Sequence, residues 1–196
     1  MLQCNGRYID SGGLGVLTLR FFRAYIMERV AVFIDGSNLY HSLKAALGFA
    51  NIDFIYLAEK IVTKKRKLVR VYYYNAPVDP KEVPDQYKEQ QKFFDKISNL
   101  PYFELKLGTL VRRKHGMVEK GVDVKLATDM VAFASKDIYD TAVLISADGD
   151  FADAVQHVKD LGKHVELAFP QGGKLYRLRK VCDKFILLDK SYIRSL

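Results

Sequence analysis

Three pairs of residues in this sequence could do chemistry together: Asp35 with Asn38, Asp123 with Asp129, and Asp148 with Asp150. Each pair begins with a carboxylate at or near the start of a helical pattern. Hard divalent cations such as Mg²⁺ and Mn²⁺ take oxygen ligands, and Mg²⁺ keeps several waters beside only a few carboxylates. Asp35, Asp123, Asp148 and Asp150, if brought together, would suit such an ion. Two such ions could activate a water and stabilise the leaving oxygen of a phosphodiester.

Each acid also has a plainer reading. An Asp at a strand-to-helix turn commonly caps the helix, and Asp150 fits that description. For the first turn, Asp35-Gly36-Ser37-Asn38, the natural caps are Ser37 or Asn38, which leaves Asp35 free for chemistry. Asp123 would complement the dipole of a helix opening at Lys120-Gly121-Val122. Asp129 lies six positions further on, about 240° around that helix, so it cannot share a face with Asp123. A surface role or a supporting one with Lys125 is expected for it. Ser146 would either satisfy backbone groups in its turn or orient Asp148.

Other chemistries find less support. His41, His115, His157 and His164 fall on separate elements, and Asp153 with His157 reads as an i, i+4 helix pair. The first turn is not Gly-x-Gly-x-x-Gly and no Gly-Lys-Ser/Thr occurs, which argues against a dinucleotide fingerprint and a P-loop.

The elements that must position these acids alternate between strand and helix. Val30–Ile34 is an apolar run before Asp35, and Leu39, Leu43, Ala46 and Leu47 then repeat at helical spacing up to Gly48. Asp53 caps a second helix, Leu68–Tyr74 is a strand, and Pro84–Leu100 is a polar helix. Tyr102–Val111 reads as one strand, followed by a basic hairpin tip and a short return over Met117–Glu119. A helix then carries Asp123, Thr141–Ile145 is a buried strand, and a helix begins near Asp150. Val165–Phe169 and Phe185–Leu188 are the last strands. This alternation predicts an α/β fold with a mainly parallel sheet joined by crossover helices.

The chain has 196 residues, 49% hydrophobic, which fits one domain over 27–196 with a single core. Residues 1–26 read as an extension before Met27, disordered or upstream of the true start, with a docking helix over 16–27 as the rival. The net charge of +8 suits a polyanionic partner. Two cysteines without metal-site spacing fit a reducing, cytoplasmic setting. No apolar run approaches the roughly 18 to 20 residues of a membrane span, so no membrane partner is expected.

Phe33-Ile34-Asp35-Gly36-Ser37-Asn38-Leu39-Tyr40, Lys120-Gly121-Val122-Asp123 with Asp129, and Ser146-Ala147-Asp148-Gly149-Asp150-Phe151 closely resemble the NYN domain family in its LabA-like branch. The resemblance covers roughly Val30 to Phe169. It implies a Rossmann-like, PIN-like three-layer sandwich and metal-dependent cleavage of RNA with Mg²⁺ or Mn²⁺. By position it makes Asp35, Asp123, Asp148 and Asp150 the metal ligands, with Asn38, Ser146 and Asp129 supporting them. Lys64, Lys65, Arg66, Arg112, Arg113, Lys114, Lys120, Lys174, Arg177 and Arg179 would hold the strand. Single-stranded RNA is favoured, because the metal must reach a backbone phosphate unobstructed. A weakly catalytic RNA-binding or regulatory adaptor and a small-molecule phosphohydrolase are the rival functions, and a homodimer is compatible with all three.

Overall fold

The computed structural model describes residues 27–63, 65–113, 116–171 and 175–194. Its centre is a sheet of six strands: β1 (Glu28–Asp35), β2 (Arg66–Asn75), β3 (Phe103–Leu107), β6 (Thr141–Ile145), β7 (His164–Phe169) and β8 (Lys184–Leu187). Their order is β3-β2-β1-β6-β7-β8, and every neighbouring pair is parallel. The central strands β1 and β6 are buried on both sides, Glu28 and Arg29 aside, because helices cover both faces, as parallel sheets require.

The three consecutive tyrosines of β2 show how the layers form. Tyr73 meets Phe54 and Phe93, which belong to α2 (Phe54–Val62) and α3 (Pro84–Ser98). Tyr72 points the other way, onto Phe33 and onto Phe133 of α4 (Val122–Ser135). Successive strand side chains alternate faces, so α2 and α3 lie on one side of the sheet and α4 on the other. All three tyrosines are buried, as packing residues should be. The α4 side also carries α5 (Ala152–Asp160), which packs on α4 and β7, and α6 (Tyr176–Val181), which packs on α5. Among the described residues no helix is long and apolar enough to cross a membrane.

From β1 the chain builds outward to β2 and β3, then returns and builds the opposite way through β6, β7 and β8. The carboxyl ends of β1 and β6 therefore flank the point where the strand order reverses, the crevice in which open α/β sheets bind ligands. Asp35 ends β1 and Ser146 follows β6.

The expected single strand over 102–111 is instead two. β3 stops at Leu107, and after Gly108 the chain enters an antiparallel hairpin of β4 (Thr109–Arg113) with β5 (Gly116–Lys120). A Cβ at Gly108 would lie 2.5 Å from Val122 Cγ2 and 3.0 Å from the Lys120 carbonyl oxygen. That close approach returns the hairpin against the start of α4.

Candidate active site

Asp35 leaves β1 and becomes the N-cap of α1 (Gly36–Leu47), accepting the Asn38 N–H at 3.1 Å. The cap is thus Asp35 rather than Ser37 or Asn38. Gly36 permits this tight exit, since a Cβ there would meet the Tyr73 ring at 2.5 Å. With 5% of its surface exposed, Asp35 is one of the few buried acids. Its second oxygen accepts a 3.0 Å hydrogen bond from the buried Ser146 hydroxyl.

The same Ser146 oxygen accepts the Asp148 N–H at 3.1 Å, and Asn38 Oδ1 accepts the Ala147 N–H at 3.2 Å. Ser146 therefore orients Asp35 and the Asp148 backbone, where the sequence suggested the Asp148 carboxylate. The two turns, 109 or more residues apart in sequence, are stitched into one unit.

Asp148 caps a single 3₁₀ turn, Gly149–Phe151, by accepting the Asp150 N–H at 2.9 Å. Capping falls to Asp148, not to Asp150. The Asp150 side chain is 89% exposed and lies 3.8 Å from Arg177, outside the cleft.

Asp123 approaches from the other bank, in the first turn of α4 after Gly121, whose φ of 82° favours glycine. Asp35, Asp123 and Asp148 line one cleft of about 440 Å³ together with Ser37, Asn38, His41, Ser42, Lys120, Gly121 and Val122. Burial raises the pKa of Asp35, and the charges of Asp123 and Asp148 add to it, against the lowering effect of the Asn38 and Ser146 hydrogen bonds. Burial and then the charges of Asp148 and Asp150 raise that of Asp123. Acids whose ionisation is opposed first by burial and then by one another are eased by a nearby cation.

The donor set is all oxygen and suits a hard cation. Among the described residues, however, no three His, Cys, Asp or Glu side chains are grouped tightly enough to hold a metal by themselves. An ion here must complete its shell with water or substrate oxygens, the habit of Mg²⁺.

Asp129 is elsewhere. It accepts the Tyr74 hydroxyl at 3.0 Å and lies 3.8 Å from Lys106, tying α4 to the sheet. Lys125 bonds the Leu107 carbonyl and is not its partner. Asp153 meets Arg177 at 3.3 Å, so its pairing with His157 is not the contact formed.

The basic candidates divide. Lys120 lines the cleft, and Arg177 packs along Gly149 beside Asp150. Arg179 lies over the Phe185 ring at 4.2 Å. Lys65 is exposed just before β2. Arg66 begins β2, at the opposite pole, and is taken up by Glu28 at 2.9 Å and by two bonds of 2.7 and 2.9 Å to Glu166. It belongs to a second cleft, of about 660 Å³, remote from the carboxylates. A strand's entry and exit lie at opposite poles, which proximity in sequence to a basic run does not reveal. Lys64, Lys114 and Lys174 lie outside the described residues, as do the side chains of Arg112 and Arg113.

The sequence marks Ser37 only as a cap and His41 only as an isolated histidine, and it does not single out Ser42. Their signal was helical spacing: residues one turn beyond Ser37 and Asn38 continue the same wall.

The family model for the NYN domain matches residues 29–189, a span that includes all these acids. The chain belongs to the NYN domain family. NYN domains are PIN-like nucleases, a group that generally uses divalent metals. The chain is 26% identical over 182 residues to the low amplitude and bright protein LabA of Synechococcus elongatus, covering 88% of this chain and 89% of that one. Its fold is similar to that of a Vibrio parahaemolyticus protein of unknown function, with a TM-score of 0.67 and 22% identity over 86% of this chain and 97% of the other. The expected α/β, PIN-like fold is thus the fold observed.

Proposed function

We propose that this NYN domain is a metal-dependent ribonuclease hydrolysing phosphodiester bonds of single-stranded RNA in the cytoplasm. The observation that carries the reading is the meeting of Asp35, Asp123 and Asp148 in one cleft at the switch point of the sheet. A bound Mg²⁺ or Mn²⁺ would supply charge neutralisation at the phosphate and a more acidic water. Asp35, Asp123 and Asp148 would hold it, the first fixed by Ser146 and Asn38 and the last by its own cap. Lys120 on the cleft wall would attract the backbone phosphate, and Arg177 the flanking one. Asp150, facing Arg177, would act on the substrate side and reach the metal only through water.

An RNA-binding or regulatory adaptor of the same fold is the second reading, favoured by the lack of a tight three-acid group among the described residues. End-labelled single-stranded RNA incubated with the protein and Mn²⁺, beside an Asp148→Asn variant, separates the two. Cleavage by the wild type that chelation abolishes and the variant lacks supports the nuclease. Equal cleavage by both proteins refutes the assigned site, and binding without cleavage supports the adaptor.

A further inference from the structure

The outer surface of α1 is divided into three strips. Leu39 and Leu43 face the core, while Ser37, Asn38, His41 and Ser42 face the acidic cleft. At about 100° per residue, Tyr40 and Lys44 occupy a third strip, reached from the cleft by passing over His41. Tyr40, Tyr102 and Tyr176 are exposed, at 45%, 68% and 73%, and of these Tyr40 is the one in contact with cleft-lining His41. The Tyr40 ring meets the His41 ring edge-on, with centroids 5.4 Å apart and planes at 83°. The Lys44 ammonium stands 4.9 Å from the ring centroid. An exposed aromatic, an imidazole and an ammonium thus sit in a row leading out of a carboxylate cleft on a protein of net charge +8.

We propose that this row is a nucleotide-binding step for single-stranded RNA. The strand leaves the cleft over His41, one base stacks on Tyr40, and the adjoining phosphate meets Lys44. The inference rests on the nuclease reading and adds to it where the emerging strand is held. Three features favour RNA as the occupant. Bases stack on exposed aromatic rings without regard to sequence, and a lysine beside the ring meets the backbone, the pairing that single-strand binding uses. The contact of Lys44 with the ring is weak at an exposed site, so the ammonium can move to a phosphate at little cost. The row is also continuous with the cleft through His41, so a strand whose phosphate reaches the acids passes over it.

Fluorescence anisotropy with the full chain in a chelating buffer, where no cutting occurs, tests this. The probes are a labelled single-stranded oligoadenylate and the same backbone with abasic riboses. Tyr40→Ala should weaken oligoadenylate binding about tenfold, the scale of one lost stack. Tyr40→Phe should bind as the wild type, and the abasic strand should not distinguish the three proteins. Lys44→Gln should lower the slope of log affinity against log salt by about 0.7, the single-strand value for one phosphate contact. Melting temperatures of the variants establish that they fold. Equal oligoadenylate binding by wild type and Tyr40→Ala, or an equal loss on the abasic strand, overturns the stack while leaving the nuclease reading intact. Neither binding nor cleavage of RNA by the wild type overturns both.

Discussion

Ser146, directly after β6, donates its hydroxyl to a carboxylate oxygen of Asp35 at the end of β1, 3.0 Å away and out of contact with solvent. This bond joins the two halves of the fold at the point where the strand order reverses. It also decides how the carboxylate is aimed. Ser146→Ala would leave a lone pair of Asp35 and the Asp148 N–H without partners. A loss of about 1–3 kcal/mol is expected for such buried groups, read by urea unfolding, with weaker Mn²⁺ binding in calorimetry. A variant as stable as the wild type that binds Mn²⁺ equally would show that the bond is incidental.

The raised pKa of Asp35 has a consequence for stability. A carboxyl whose folded pKa lies above its unfolded value stabilises fully below the unfolded value and loses that contribution as pH rises through the folded one. Ionised Asp35 therefore burdens the metal-free fold at neutral pH. Asp35→Asn, whose Oδ1 keeps the cap while its Nδ2 donates to the Ser146 hydroxyl oxygen, should melt higher than wild type at pH 8 without metal. The difference should shrink toward zero as pH falls to 4, and Mn²⁺ should narrow it by stabilising the wild type alone. Scanning calorimetry across that range checks it, and a pH-independent difference would contradict it.

The opposite pole carries the reverse case. Burial pushes the Glu166 carboxyl up, yet the bonds and charges of Arg66 and Lys184 outweigh it, so its pKa is lowered. Its contribution is present above the unfolded value and is lost as pH falls through the folded one. Glu166→Gln would leave Arg66 half-paired in a site where the two side chains are only 17% and 6% exposed. Breaking such a pair should cost about 2–3 kcal/mol near pH 7, somewhat less than for a fully buried pair. The cost should fade toward acid pH, with RNA cleavage at temperatures well below melting unchanged. Loss of cleavage in a folded variant would place Arg66 and Glu166 in the functional site after all.

Much of this architecture is legible in the sequence because the relevant signals are local. Five apolar residues before Asp35, the tyrosine run of β2 and the Asp53 cap each announce their element through its own periodicity. The three acidic motifs could be placed at strand ends and a helix start in the same way. What escaped depends on contacts remote in sequence. Arg66 is adjacent to a basic run, but its partners Glu28 and Glu166 come from β1 and β7. Asp129 finds Tyr74 across the sheet–helix boundary. The choice of Asp148 over Asp150 as the cap depends on a 3₁₀ turn intervening before α5, a difference of one turn that apolar spacing does not encode.

That choice separates two acids with one glycine between them. Asp148 lines the cleft and fixes its own turn, whereas Asp150 is exposed and faces Arg177. Asp148→Asn should lower RNA cleavage by at least about a hundredfold, as expected on losing a ligand, and Asp150→Asn by about tenfold or less. Rates measured at saturating Mn²⁺ check the order, and the reverse order would make Asp150 the ligand.

Anomalous scattering from crystals soaked in Mn²⁺ tests the central claim most directly, because it locates the ion without reference to activity. A peak between Asp35, Asp123 and Asp148, with water completing its shell, is the predicted result. No peak at saturating Mn²⁺, or one confined to the acids of the opposite pole around Glu28 and Glu166, would contradict it.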